Sequence, residues 1–516
     1  MGKGRKRQTH AKANARTTPH CANKTSTGDK HSMTNLYDLF SPTDFRYLAG
    51  DAAFQQRLMP YLSEAASIRY QLKVEKALVD AYANNGICSR AIAAEVGQAC
   101  NSIVAEEVYQ EEQRIKHNIR ALVNCIKKRV GAEAQRFVHL GITSADVLDT
   151  ANSMRYRDFC KDVLVPDLLK LERGLGEMAQ RYADLPQIGR THGKHAEPIT
   201  LGFWVASFVS RLGKRIEKIV ESACQLRGKM SGAVGCYNAM SIALPVDPRQ
   251  IEDEVLRSLA LPTHETGEIV NTQIVESESL VDLAYAATSA FSVLANLSDD
   301  IRHLHRTEIG ELQERYAEEH VGSSTMPHKR NPRNFENIKS LWKAFVPRIL
   351  TCLMDQVSEH QRDLTNSASS RYITELLGML DYAVERMRSA VANLEVDERK
   401  VRQNLAMSKG QTVAEPLYII LAMHGVHDAY DRARLLSRGN NGQQNVLEAA
   451  LTDPELRPIL NKIPPDKQRA LADPEKYTGL GEEIARAALD YWGVRLLALC
   501  RQKWPDNAKA FDSILS

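Results

Sequence analysis

From Glu268 to Ile309 the chain contains neither glycine nor proline. Thirty residues of such a run, wound as an α-helix, reach about 45 Å at roughly 1.5 Å per residue. A helix of that length belongs to a bundle. Its centre, Leu283 to Ser298 (LAYAATSAFSVLANLS), is rich in Ala and Ser with little polar face, which predicts burial among other helices, including those of other subunits. The same stretch is shorter than the roughly 20 apolar residues that cross a bilayer, so no membrane span is expected.

The rest of the chain reads the same way. Val205, Phe208, Val209, Leu212, Ile216, Ile219, Val220 and Ala223 recur at three-and-four spacing, with Arg211, Lys214, Arg215, Glu217 and Lys218 between them, the pattern of one buried helical face. Another helical stretch is predicted from about Asn334 to about His360 with a kink at Pro347. Alternating strand patterns are scarce, so the fold class is all-α. The 516 residues, 43% hydrophobic and 25% charged, exclude a disordered, collagenous or fibrous chain and suggest about three domains. We expect a basic tail (1–34), an N-terminal helical domain (35–142), a central long-helix domain (143–394) and a C-terminal helical domain (395–516).

The net charge of +3 is unevenly spread. Residues 1–34 hold five Lys and three Arg against Asp29, or +7, which leaves the remainder at −4. The tail has no Leu, Ile, Val or aromatic residue up to Ser32 and is expected to be disordered. It reads as a leader-like extension first, a targeting signal second and a nucleic-acid arm third. A near-neutral body gives no case for nucleic acid as the main partner. Nine scattered Cys without a C-x-x-C pair suggest neither disulfides nor structural zinc and fit a reducing, cytoplasmic setting.

Three motifs are weak. Gly174-Leu-Gly176-Glu-Met-Ala179 fits a dinucleotide fingerprint but follows a charged helical run, so it reads as a helix irregularity. His192, His195 and Glu197 sit beside Gly193 and Pro198, which predicts a loop rather than a metal site. His303 and His305 are two apart and cannot share a helix face.

One motif is strong. Gly322-Ser-Ser-Thr-Met-Pro-His-Lys-Arg-Asn-Pro332 joins a small-residue loop to a proline-fixed end, the pattern of a lid with a rigid hinge. Ser323 and Ser324 offer hydroxyls, Lys329 a charge and Asn331 an amide donor, a set suited to binding an anion. Its eight fixed positions match by chance with a probability below about one in a million. The segment resembles the signature of the fumarase/aspartase superfamily. Within it, His139–Thr150 (HLGITSADVLDT), Gly189-Arg-Thr-His-Gly193, Ser231–Asn238, Ser41–Tyr47, Thr272-Gln-Ile274, Gln361–Thr365 and Ala414-Glu-Pro416 look like the adenylosuccinate lyase branch, over about residues 41–420.

The resemblance implies a three-domain subunit with a long central bundle, and elimination of fumarate from adenylosuccinate to leave AMP and from the succinyl-carboxamide ribotide to leave the carboxamide. It implies Ser323 as general base, His192 as general acid, and Lys329 and Asn331 as stabilisers of the aci-carboxylate. Arg46, Tyr47, Ser367 and Arg371 would take the phosphate and ribose. Thr143, Ser144, Thr191, Gln273, Ser324, Arg330 and Asn337 would hold the succinyl part or the base, with His117, Asn118 and His139 lining the pocket. Arg362 would bind nucleotide, unless it is a buried structural ion pair with Asp363 or another acid. Asn118 stands where the family pattern has Asp, which puts affinity and pH dependence in question. No cofactor or metal is implied; the partners are a nucleotide substrate and three further copies in a homotetramer with shared active sites. Competing readings are a sister lyase acting on argininosuccinate, aspartate, malate or a carboxymuconate, and a catalytically silent lyase fold.

Overall fold

Among the described residues of the computed structural model, helices dominate and only four short strands occur, in keeping with the all-α expectation. Residues 43–266, 270–315, 322–408, 410–439 and 445–515 are described; the tail and its expected disorder lie outside them. The chain divides into two units, Met1–Gly50 and Asp51–Ser516. In the first, Thr43–Ala49 forms a short π-helical segment bearing an exposed Arg46 and a half-buried Tyr47.

The second unit begins with a helical core. Helix α1 (Glu64–Asn84) starts where the Ser63 hydroxyl accepts the Ala66 N–H, an N-cap that satisfies an otherwise orphaned donor. It packs with α2 (Asn118–Lys127) and α3 (Ser144–Phe159) around Leu78, Tyr82, Ile119, Leu122 and Val147, and Ile251 and Val255 return from later in the chain to close the cluster. A π-helical turn, Cys160–Leu164, passes α3 directly into α4 (Val165–Arg181). Gly174 and Gly176 lie inside α4 without a break, so the expected irregularity is not at the glycines but one segment upstream.

The segment around His192 is not a loop but an antiparallel hairpin, β1 (Pro186–Thr191) and β2 (Lys194–Thr200). His192 and Gly193 both take positive φ, 53° and 72°, the two-residue turn that matches strand twist. Gly supplies that geometry freely and His192 adopts it at a conformational cost.

The centre follows the hydrophobic pattern. Helix α5 (Leu201–Cys224) buries all eight residues of its predicted face, each large apolar side chain contributing about 1.5–3 kcal/mol on leaving water. Helix α6 (Glu278–Leu304) has 27 residues, about 40 Å of rise. It begins ten residues later than Glu268. By length and composition it is apolar enough to cross a membrane, but two-thirds of that window is buried inside the protein. A short strand, β3 (Leu312–Glu314), follows it and pairs with β4 (Leu394–Val396).

Helix α7 (Arg333–Phe345) runs antiparallel to α6, as Lys339 reaches Asp299 at 2.6 Å and Trp342 Nε1 donates to Ser292 at 2.9 Å. Pro347 breaks the helix as expected, and the continuation Arg348–Met354 stops short of His360. Helix α8 (Ile373–Ala392) packs on α6 and α7. Helix α9 (Ala414–Met423) opens a separate apolar cluster with Val446, Leu460 and Leu471, and α10 (Gly481–Lys503) lies along α5.

Candidate active site

The N-terminal end of α6 is built on buried charge. His139, at φ 59°, sets Nδ1 2.7 Å from Glu75 Oε1 and donates its backbone N–H to the same carboxylate at 3.1 Å. The Tyr82 hydroxyl donates to the Leu140 carbonyl at 2.6 Å. Thr143 caps α3 and donates its N–H to Asp146 at 2.7 Å. Asp146 also receives the Gly232 N–H at 3.2 Å and the ammonium of Lys229, and neither charged side chain is exposed. The motifs 139–150 and 231–238 are therefore joined by one interior ion pair, whose members are satisfied by each other and by backbone.

The same end fixes the Gln273 segment. Asp149 Oδ2 accepts the Val275 N–H at 3.0 Å. Burial pushes the Asp149 carboxyl up to about 6, opposed by that N–H and by the charge of Arg362. Arg362 donates to the Asp363 carbonyl at 3.0 Å, while the Asp363 carboxylate is taken by Thr365 and the Glu359 N–H. Arg362 thus bonds the Asp363 carbonyl rather than its carboxylate, while its charge acts on buried Asp149, in line with the alternative of a structural pairing with another acid. Asn366 and Ser277 both donate to the Asp355 carbonyl, at 2.6 and 3.4 Å, which brings the 355–371 segment to this end. Ser367 and Arg371 are exposed there, Arg371 in a 3-10 turn. His117 and Asn118 are exposed at the start of α2: His117 Nδ1 accepts the Arg120 N–H at 3.3 Å, and Asn118 Oδ1 accepts the Ile119 N–H at 2.8 Å. Asn118 therefore turns to the helix end rather than to His117.

The C-terminal end of α6 carries the remaining candidates. Glu311, fully buried, takes Arg190 at 2.5 Å, Gln187 at 2.6 Å and Asn404 at 2.8 Å. That carboxylate anchors the hairpin whose exposed tip bears Thr191 and His192. Glu314 accepts from Asn334 and fixes the start of α7. Just before it, Asn331 donates to the Gly322 carbonyl at 3.0 Å and ties the two ends of the signature loop.

Within that loop the two serines differ. Ser323 Oγ accepts two backbone N–H groups, from Met326 at 3.0 Å and Thr325 at 3.3 Å. Hydrogen bonds to an oxygen favour its charged form, so these donors favour an alkoxide at Ser323. Among the described residues Ser324 has only Thr325 Oγ1, at 3.5 Å. Ser324, Lys329 and Arg330 are exposed, and Asn337 has a buried side-chain oxygen with no partner among the described residues.

The candidates thus fall into two groups. His139, Thr143, Ser144, Gln273 and Arg362 stand at one end of α6; His192, Ser323, Lys329 and Asn331 stand at the other, about 40 Å away along the helix. One chain does not bring them together. The sequence reading missed the supports Glu75, Lys229 and Glu311. Asp146 and Asp149 were visible inside the 139–150 motif, but Lys229 had only a Gly-Lys-Met-Ser-Gly context. His195 contacts Ser408 at 3.0 Å and Glu197 accepts from Tyr477 at 3.1 Å, so these two side chains do not converge. Among the described residues no three His, Cys, Asp or Glu side chains gather as metal ligands.

Comparison with known proteins gives the family. A lyase family model matches residues 53–344, and an adenylosuccinate lyase C-terminal model matches 358–478. The adenylosuccinate lyase of Archaeoglobus fulgidus is 31% identical, over 86% of this chain and 96% of the relative. That of Pyrococcus horikoshii is also 31% identical, over 87% and 97%. The crystal structure of 3-carboxy-cis,cis-muconate lactonizing enzyme from Pseudomonas putida superposes with a TM-score of 0.73 at 26% identity, covering 88% of this chain and all of that one. The fold is thus shared with a sister activity, whereas sequence identity across nearly the whole length and the C-terminal match fall on one branch: the chain belongs to the adenylosuccinate lyase family of the fumarase/aspartase superfamily.

Proposed function

We propose that the two ends of α6 are halves of one active site, completed when copies of the chain pack with their central helices antiparallel, so that the 143–149 and 273 end of one copy meets the 192 and 323 end of another. The lyase activity is the elimination of fumarate from adenylosuccinate, and from the succinyl-carboxamide ribotide. The separation of the two groups carries this reading. It is supported by exposed apolar side chains near the N-terminal end of the bundle, Leu350, Met354, Val357 and Leu364, which a partner would cover. A homotetramer is the assembly we assign.

The chemistry follows from the groups. The proton to be removed is on the carbon β to the nitrogen and is weakly acidic. Ser323, its alkoxide held by the Met326 and Thr325 N–H groups, takes that proton. Lys329 stabilises the dianionic aci-carboxylate that forms, and Asn331 keeps the loop closed around it. The C–N bond then breaks, His192 protonates the leaving nitrogen, and the new C=C bond belongs to fumarate. Arg362, Arg371 and Ser367 take the phosphate and ribose end, since guanidinium groups pair with phosphate through two parallel bonds. Every step is supplied by side chains, without a cofactor. Eight described cysteines without disulfides support a reducing, cytoplasmic setting.

The test is incubation with adenylosuccinate while AMP and fumarate are followed. Ser323→Ala and His192→Ala should each lose about 10²–10⁴-fold in kcat. Wild-type rates in both variants would overturn the assignment.

A further inference from the structure

The hairpin that carries His192 bends at a defined point. The pairing of β1 with β2 slips between Ile188 and Arg190. There Gly189 lies against the Glu197 backbone, so closely that a Cβ on Gly189 would stand 2.6 Å from the Glu197 carbonyl oxygen. Such an irregularity re-aims the end of a strand, and here that end is the His192 turn.

The Glu197 side chain leaves the hairpin at this pivot. Its carboxyl faces that of Glu415, in the first turn of α9, and accepts the Tyr477 hydroxyl at 3.1 Å. Two carboxylates have no donor between them, so this contact requires one proton. Burial, first, and then Glu415 push the Glu197 carboxyl up to about 7.

The neighbouring charged groups have their own partners. Arg190 on β1 is held by Glu311, and His195 on β2 contacts Ser408 and is kept below its ordinary pKa by burial and by Arg190. Glu475, before Tyr477, pairs with Arg402, and Glu482 at the start of α10 pairs with Arg486. The Tyr477 phenol is pushed up by burial and by Glu197.

We propose that Glu197 and Glu415 form a carboxyl–carboxylate clasp across the pivot of the hairpin, and that the proton they share positions His192 by fixing β2 to α9. The consequence for catalysis rests on the reading of His192 as general acid. As pH rises through about 7 the proton leaves, two like charges face each other, and the hairpin loses its hold on α9. Glu197 and Glu415 are positioning residues and touch no substrate.

The experiment uses the intact enzyme. Hydrogen exchange of residues 186–200, corrected for intrinsic rates, is measured from about pH 6 to about pH 8.5 in wild type, Glu197→Gln, Glu197→Ala and His192→Ala. Wild-type and His192→Ala protection should fall about tenfold across this range, the equivalent of one pKa unit. Glu197→Gln, whose amide donates to Glu415 at any pH, should stay flat. In turnover, Glu197→Ala should lower kcat about tenfold with little change in KM, and Glu197→Gln should restore it, most fully above pH 7. PH-independent protection in wild type, or the same slope in Glu197→Gln, overturns the clasp. Full turnover by His192→Ala with the exchange pattern intact overturns the acid assignment instead and leaves the clasp standing.

Discussion

The two ends of α6 solve opposite problems. At the N-terminal end the candidate binding residues rest on interior charge: Glu75 under His139, and Asp146 with Lys229 under Thr143, all fully buried. At the C-terminal end His192 and Lys329 stand exposed on a hairpin tip and a loop, anchored from behind by Glu311 and Glu314. A binding surface gains from rigid preorganisation, whereas groups that close over a substrate must remain able to move. Under the proposed assembly, the contrast divides the labour of the reaction between ends that different copies would join.

The comparison can be broken in four ways. The largest effect is expected at the exposed end, where Ser323→Ala should cost about 10²–10⁴-fold in kcat with an unchanged thermal midpoint; steady-state kinetics and a melting curve check both halves of that statement. At the buried end, Lys229→Met strands the Asp146 carboxylate and should cost about 3–5 kcal/mol of stability, read from denaturant unfolding. A loss near zero would show that this ion pair does not support the 139–150 and 231–238 segments.

A smaller effect depends on pH. Asp149 in the folded protein sits near 6 against an ordinary 3.8, so folding favours its protonated form. That contribution is complete below about pH 4 and is lost as pH rises through about 6, worth about 2–3 kcal/mol across the window. Asp149→Asn should flatten this slope in the unfolding midpoint. The smallest effect belongs to Asn118→Asp. The side chain is exposed and bonds to the start of α2, so restoring the family's carboxylate should move KM by less than about tenfold, on the order of 1 kcal/mol.

Much of this was legible in the chain because it lay in local patterns. The spacing from Val205 to Ala223 marked the buried face of α5, and the absence of Gly and Pro marked α6, though its start slipped from 268 to 278: residues 270–277 are not helical, and Asp149 takes the Val275 N–H there. The hairpin at 186–200 was hidden: Gly193 and Pro198 read as loop punctuation, when Gly193 was serving a two-residue turn and Pro198 sat within β2. Signature residues such as Ser323 were visible, yet the preference for Ser323 over Ser324 became physical only when two N–H groups were seen to point at one oxygen. The carboxylates that hold the site, Glu75 and Glu311, are single residues in unremarkable context, brought to their partners by folding over 64 and 121 positions.

The central claim is that the site is assembled from opposite ends of different copies, and mixing two damaged enzymes tests it most directly. One carries Ser323→Ala; the other carries Ser144→Ala with Gln273→Ala. After dissociation and reassociation together, we expect activity well above that of either variant reassociated alone, because some sites then combine an intact 143–273 end with an intact 192–323 end. Activity that stays at the mean of the two variants, with mixed assemblies confirmed by mass, would contradict the account.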